Sequence, residues 1–286
     1  QTSHTSYSVV LALPDHDRIF LHYPGANDTF EFEDLDMDAI QQAVLFHLGY
    51  PPLMNRLYVN DGQELTKIFR TVSAVGVVTS LDMAAVDPAS PAGQADWQTI
   101  LRNTLPFVDI FAPSVEELLF MLDRERHEQL IRAANGRDPT TILHMQRDVK
   151  PLAEKALQMG AKIVMIKCGE PGVYFKTAEP DKLSLLEDKL GFPLSGWSNQ
   201  EGFEASYVPK HVVSATGAGD VTIAAFLTSL LSEYSLETCL KYATASGACC
   251  VEAYDSLSGL KSLQEIQEKI DAGWKKRNAD ANQALQ

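Results

Sequence analysis

The chain has no apolar run near the roughly 18 residues a helix needs to cross a bilayer, which excludes a helical membrane span. Its opening residues, QTSHTSYSVV, lack the basic segment and apolar core of a secretory signal. Cysteine is scarce: Cys168, Cys239, Cys249 and Cys250 match no zinc or disulfide spacing. Reduced, structural thiols in an intracellular, cytoplasmic protein are therefore expected. The seven histidines show no ligand spacing. HExxH and GxxxxGK[ST] are both missing, which leaves a zinc hydrolase or a P-loop enzyme without support. Positive charge is also short, with 24 Lys and Arg against 38 Asp and Glu. The resulting net charge of −14 argues against nucleic acid or an anionic membrane as the main partner. Internal repeats and low-complexity tracts are absent.

What remains is the composition of an ordinary globular chain, 45% hydrophobic and 22% charged over 286 residues. That length supports a substantial core. Short strands are expected at Tyr7 to Leu13 and Arg18 to Tyr23, around a turn at Pro14-Asp15-His16-Asp17. Helices are expected at 35–44, 61–75, 96–105, 114–122 and 149–159, with strands at 46–50, 75–81, 107–111, 161–167 and 173–176. Three more helices follow, near 222–231, 236–253 and 263–272, before a polar tail from Lys275. Alternating strands and helices imply a mostly parallel sheet covered on both faces. Ligands in such sheets bind at the carboxyl ends of the strands. Two stretches, Asp123 to His144 and Glu179 to Tyr207, are rich in charge or glycine and are expected to be surface loops.

The most constraining run is Val212-Val213-Ser214-Ala215-Thr216-Gly217-Ala218-Gly219-Asp220. The two valines suggest a strand end, the glycines a tight turn, and the apolar stretch from Val221 to Leu231 a buried helix. A glycine turn opening a helix presents unpaired N–H groups at the positive end of the helix dipole, which is an anion site suited to phosphate. Asp220 is out of place in a pure anion site, because its charge repels a phosphate. It makes sense there if it takes a proton from the group attacking that phosphate. The same run also serves an ordinary strand-to-helix turn.

The run Thr216-Gly217-Ala218-Gly219-Asp220 resembles the C-terminal signature of the PfkB, or ribokinase-like, carbohydrate kinases, approximately D-T-T-G-A-G-D-x-F-x-x-G. The resemblance implies a three-layer α/β/α fold with a mostly parallel central sheet and a small β lid. It implies Asp220 as the catalytic base, the amides of Gly217, Ala218 and Gly219 as an anion hole, and Thr216 beside the nucleotide. Ser214, Ala215, Thr222 and Ala225 depart from the signature. Ser214 stands where an Asp helps build a monovalent-cation site in the family, so the need for that cation is left open.

Other runs carry the same resemblance. Ser114-Val115-Glu116-Glu117 is by itself a capping box, with Ser114 as N-cap and Glu117 reaching back. It also resembles the family's N-x-x-E motif, which implies Ser114 near the nucleotide and Glu117 near Mg²⁺. Lys167-Cys168-Gly169-Glu170-Pro171-Gly172 makes a hairpin on its own terms. It resembles the family's G-x-x-G turn, implying that Gly169 and Gly172 admit ATP and that Lys167 neutralises a phosphate. Ser246 to Val251 is a small-residue helix suited to close packing. A comparable helix lies near the adenine in the family, which implies a contact at Ala248. Pro24-Gly25-Ala26-Asn27 is a turn that resembles the G-A-N closing the lid strands.

The resemblance thus implies an ATP- and Mg²⁺-dependent kinase acting on a hydroxyl of a small sugar or sugar derivative. Residues 1–30 would be lid strands and turn, and 31–286 the nucleotide-binding and catalytic domain. A nucleoside kinase of the same fold and a catalytically silent ligand-binding relative are the alternatives. A homodimer is left open. In the family about a hundred residues precede the G-A-N turn, which here is at residue 25, so the N-terminal part of the fold is expected to be missing from this chain. No acidic sugar contact is evident at His47-Leu48-Gly49-Tyr50-Pro51.

Overall fold

A computed structural model describes residues 3–11 and 19–277 of the chain. The turn expected at Pro14 to Asp17 and most of the polar tail lie outside the described residues. Strands β1 (Tyr7–Leu11) and β2 (Ile19–Tyr23) pair antiparallel in a sheet of their own. Every residue of this ribbon is exposed, including Val9, Phe20 and Leu21. A short helical turn at Gly25–Thr29 follows it.

The main sheet has six strands in sequence order. They are β3 (Leu45–Leu48), β4 (Val78–Leu81), β5 (Ile110–Phe111), β6 (Ile163–Lys167), β7 (Gly172–Thr177) and β8 (Glu201–Ala205). The first three pairings are parallel and the last two antiparallel. The helices are α1 (Met37–Ile40), α2 (Asn55–Tyr58), α3 (Gln63–Ala74), α4 (Trp97–Thr104), α5 (Val115–Leu122) and α6 (Arg124–Ala134), followed by α7 (Lys150–Gln158), α8 (Pro180–Leu190), α9 (Ala218–Leu231), α10 (Leu236–Cys250) and α11 (Leu263–Asp271).

Successive strand residues face opposite sides of the sheet, and the core divides accordingly. Leu81, Phe111, Val164, Ile166 and Tyr174 join one cluster with α3, α4, α5 and α7. Val78, Ile110, Ile163, Met165 and Val173 join a second cluster with α8, α9 and α10. The result is three layers, helices on both faces of a mostly parallel sheet. Helix α3 shows how sequence places a layer: Leu65, Ile68, Phe69 and Val72 recur at helical spacing and are all fully buried.

Several expectations need correction. Val212 and Val213 are not a strand; Val213 N–H donates to Val251 O at 2.8 Å, so an irregular segment tied to the end of α10 leads into the glycine turn. The helix expected over 35–44 is only α1. Its chain must be extended by Val44, whose carbonyl already accepts from Val78 N–H at the start of the β3–β4 ladder. Residues 123–144 are not simply a loop, because α6 is capped by Asp123 and buries Leu130 and Ala134 beneath a charged outer face. Residues 179–207 contain α8, which buries Leu183, Leu186 and Leu190, and β8 beside β7. Their charge and glycine content reflect solvent-facing positions and one left-handed stop at Gly191, φ 78°.

Candidate active site at the carboxyl ends of the strands

Helix α9 begins without a side-chain cap. Gly217 takes the N-cap position in the left-handed region, φ 80°, and a Cβ there would lie 2.1 Å from Ser256 Cβ. Only glycine fits this turn, which is pressed against the segment after α10. Ser214 Oγ accepts from Thr216 N–H at 3.1 Å and bonds Thr216 Oγ1 at 2.9 Å, stiffening the approach. Ala218 N–H donates to Ala215 O at 3.3 Å. The amides of Gly217, Gly219 and Asp220 have no protein acceptor among the described residues. Three N–H groups at the positive end of a 14-residue helix are therefore available to an anion.

Opposite the turn stand the carboxyl ends of β3, β4, β5 and β6. Lys167, the last residue of β6, lies alongside Gly219, where an added Cβ would sit 3.5 Å from Lys167 Cε. Its ammonium contacts Asp82 Oδ1 at 2.5 Å and donates to Ala112 O at 2.6 Å. Asp82 directly follows β4 and is buried. Burial, with Glu117 adding and Lys167 opposing, pushes its carboxyl up to about 7. Tyr50, two residues past β3, donates its hydroxyl to Asp220 Oδ1. Burial first, then Asp220, Asp82 and Glu117, push that phenol well above its ordinary value. His47 bonds Ser80 Oγ through Nδ1 at 3.0 Å, and burial together with Lys167 pushes its imidazole down against an opposing effect of Asp220. One patch therefore gathers His47, Tyr50, Asp82, Glu117, Lys167 and Asp220.

The capping box on α5 has formed. Ser114 N–H donates to Glu117 Oε2 at 2.6 Å, and Glu117 N–H donates to Ser114 Oγ at 3.3 Å. An isolated parallel bridge joins Ser114 to Lys167, which brings the cap to the end of β6. The β6–β7 hairpin has also formed around Gly169, φ 66°, and Gly172, φ 140°. An added Cβ at Gly169 would meet Thr140 Oγ1 at 2.8 Å, and one at Gly172 would meet Glu204 O at 2.2 Å. The need for glycine at both is accounted for by their positive φ and by packing against the turn at Pro139–Ile142 and against β8. Ala248 is buried with Tyr207, Tyr242, Ala245 and Ile266 in a small core, so its small side chain serves helix packing.

Sequence reasoning did not single out Asp82, His47 or Tyr50. A signal for Asp82 existed: it is the first residue beyond a fully buried parallel strand, the position where such sheets bind ligands. Nothing local marked Tyr50, because its partner is 170 residues away.

The donor chemistry fits Mg²⁺. That ion prefers oxygen and is commonly held by one or two carboxylates plus substrate phosphates rather than by a full protein cage. Glu117 commits only Oε2 to its cap, and Asp82 adds a second carboxylate nearby. No group of three or more His, Cys, Asp or Glu arranged for a metal occurs among the described residues. No helix among them is long and apolar enough to cross a membrane.

A family model described as pfkB family carbohydrate kinase matches residues 1–262. An uncharacterized sugar kinase of Archaeoglobus fulgidus is 25% identical over 247 residues, covering 85% of this chain and 75% of its own length. A ribokinase of Arabidopsis thaliana is 21% identical over 271 residues, covering 92% of this chain and 56% of its own length. This chain thus spans between about half and three quarters of those relatives. Among solved structures, a fructokinase with bound ATP from Xylella fastidiosa superimposes with a TM-score of 0.66 at 18% identity, covering 95% of this chain and 74% of that one. At that identity the likeness speaks for the fold, which is ribokinase-like.

Proposed function

The chain belongs to the pfkB family of carbohydrate kinases, and from that premise we propose that it transfers the γ-phosphoryl group of ATP to a hydroxyl of a sugar or sugar derivative. The observation that carries this reading is the first turn of α9. There a carboxylate, Asp220, stands beside three amides free to bind an anion, facing Lys167 and two further carboxylates.

Asp220 accepts the proton of the attacking hydroxyl, and its exposure leaves it open to an incoming substrate. The amides of Gly217, Gly219 and Asp220 bind oxygens of the transferring group, where negative charge must be stabilised without protein rearrangement. Lys167 lies along this turn, its ammonium balanced by Asp82. Glu117, with Asp82 beside it, would hold Mg²⁺ through oxygen atoms or bound water. When bound, Mg²⁺ neutralises phosphate charge and holds the phosphates in line. Ser114, Thr216, Gly169 and Gly172 border the same edge of the sheet as the nucleotide, and the ribbon of β1 and β2, within residues 1–30, acts as a lid.

A coupled assay with Mg-ATP against sugars and nucleosides tests the reading. ATP-dependent phosphorylation of at least one sugar is expected. Transfer confined to nucleosides would move the assignment to a nucleoside kinase. Binding of Mg-ATP without transfer to any acceptor would make the chain a silent relative.

A further inference from the structure

Among the described residues, three α-helices carry an acidic residue at the third helical position. In α5, Glu117 turns back and accepts the N-cap amide of Ser114. In α11, Glu265 does the same with Ser262 at 2.8 Å. This is the ordinary fate of an acid at that position, since the N-cap amide lacks a helical partner. Asp220 holds the corresponding place on α9, after Gly217, Ala218 and Gly219. Its only side-chain hydrogen bond among the described residues is with Tyr50, on the other side of the cleft.

Tyr50 is held in an unfavourable conformation to make that contact. Its backbone lies in the left-handed region, φ 65° and ψ 41°, which is costly for a bulky side chain. It also precedes Pro51, which favours extended backbone at the residue before it. Pro51 and Pro52 are buried, and Leu53 N–H closes the turn on Tyr50 O at 2.9 Å, so the surrounding chain imposes the conformation. Tyr50 as a whole is 36% exposed, so core packing does not explain its placement. Burial of the hydroxyl, with Asp220, Asp82 and Glu117 adding, keeps the phenol protonated and therefore a donor.

We infer that Tyr50 is a positioning residue that turns Asp220 away from the amides of its own helix. One contact then does two things. It leaves the amides of Gly217 and Gly219 open to phosphate, and it leaves Asp220 Oδ2 open to the acceptor hydroxyl. Without the Tyr50 hydroxyl, the Asp220 carboxylate folds back onto the Gly217 amide and competes with the nucleotide. The inference rests on the reading of the glycine turn as the phosphate site and of Asp220 as the base.

The test is a binding cycle with Mg-AMP-PNP, measured by calorimetry on wild type, Tyr50→Phe, Asp220→Ala and the double variant. Phe keeps the ring, and the melting temperature of each variant checks the fold. Tyr50→Phe is expected to weaken Mg-AMP-PNP about fivefold or more. The double variant is expected to bind like Asp220→Ala, because the competing carboxylate is gone. Unchanged binding in Tyr50→Phe, or a loss that persists in the double variant, overturns the inference. The base assignment is judged separately, by Mg-ATP turnover of Asp220→Asn with D-ribose, D-fructose or water as acceptor. Loss of that turnover with no effect of Tyr50→Phe on analogue binding overturns the role of Tyr50 alone. Retained turnover overturns both.

Discussion

Lys167 bridges to Asp82 at 2.5 Å while donating to the Ala112 carbonyl at 2.6 Å, so one ammonium ties together the carboxyl ends of β4, β5 and β6. The contact spans 85 residues of sequence. Both side chains are mostly withdrawn from water, 13% and 4% exposed. A pair in such a place is costly to break from one side, because the survivor remains as an uncompensated charge.

The first prediction concerns that pair and pH. Burial, opposed by Lys167, pushes the Asp82 carboxyl of the folded protein up to about 7 from an ordinary value of 3.8. A carboxyl raised on folding binds its proton more tightly in the native state. Its contribution to stability is complete below 3.8 and is lost as pH rises toward 7. Thermal unfolding of Asp82→Asn should therefore show a flatter pH dependence between these limits than wild type. Lys167→Met should push the loss to higher pH, since it removes the charge that opposes protonation. Parallel melting curves for all three proteins would contradict the buried pairing.

A second prediction addresses the base. Asp220→Asn retains size and polarity but cannot accept the proton. Turnover should fall by roughly two to four orders of magnitude, while the KM for ATP changes only a few-fold. Steady-state kinetics with the best acceptor from the sugar panel would read both quantities.

The two glycines of the turn should fail differently. Gly217 needs a left-handed backbone and has Ser256 pressed against it. Gly217→Ala should lose about 1–2 kcal/mol from the backbone conformation alone, and more from the clash with Ser256. Gly219 has an ordinary helical conformation, and its added Cβ would make only van der Waals contact with Lys167. Gly219→Ala should melt close to wild type yet raise the KM for ATP, because the methyl group enters the proposed phosphate site. Chemical denaturation paired with kinetics separates the two outcomes.

The cysteines give a fourth test. All four are buried and unpaired, and burial pushes the thiols of Cys168 and Cys239 up to about 12. A thiol reagent at pH 8 should label none of the four in the native protein and all four in guanidinium. Rapid native labelling of any one would contradict the packing around it.

Much of the fold was legible from local pattern. The buried strands at 78–81 and 163–167 and the spacing on α3 needed only hydrophobic periodicity. The capping box at Ser114 and Glu117 and the hairpin at Gly169 to Gly172 also formed as local chemistry required. The misreadings have a common cause. Helix α6 presents mostly charged residues because one narrow side is buried, and β8 pairs only because β7 supplies an edge. Val212 and Val213 have strand-forming side chains but no strand beside them, so β propensity alone did not make a strand.

By itself, the sequence determined the glycine turn with its carboxylate, because backbone freedom at Gly217 and the start of an apolar helix are properties of adjacent residues. Only the tertiary structure decided what faces that turn. Tyr50, Asp82 and Lys167 reach it from three separate strand ends, and their contacts with one another and with Asp220 span 85 to 170 residues. A parallel sheet brings such ends to one edge whatever their distance in the chain. That is why the chemistry of the turn could be read along the sequence, while the orientation of its carboxylate could not.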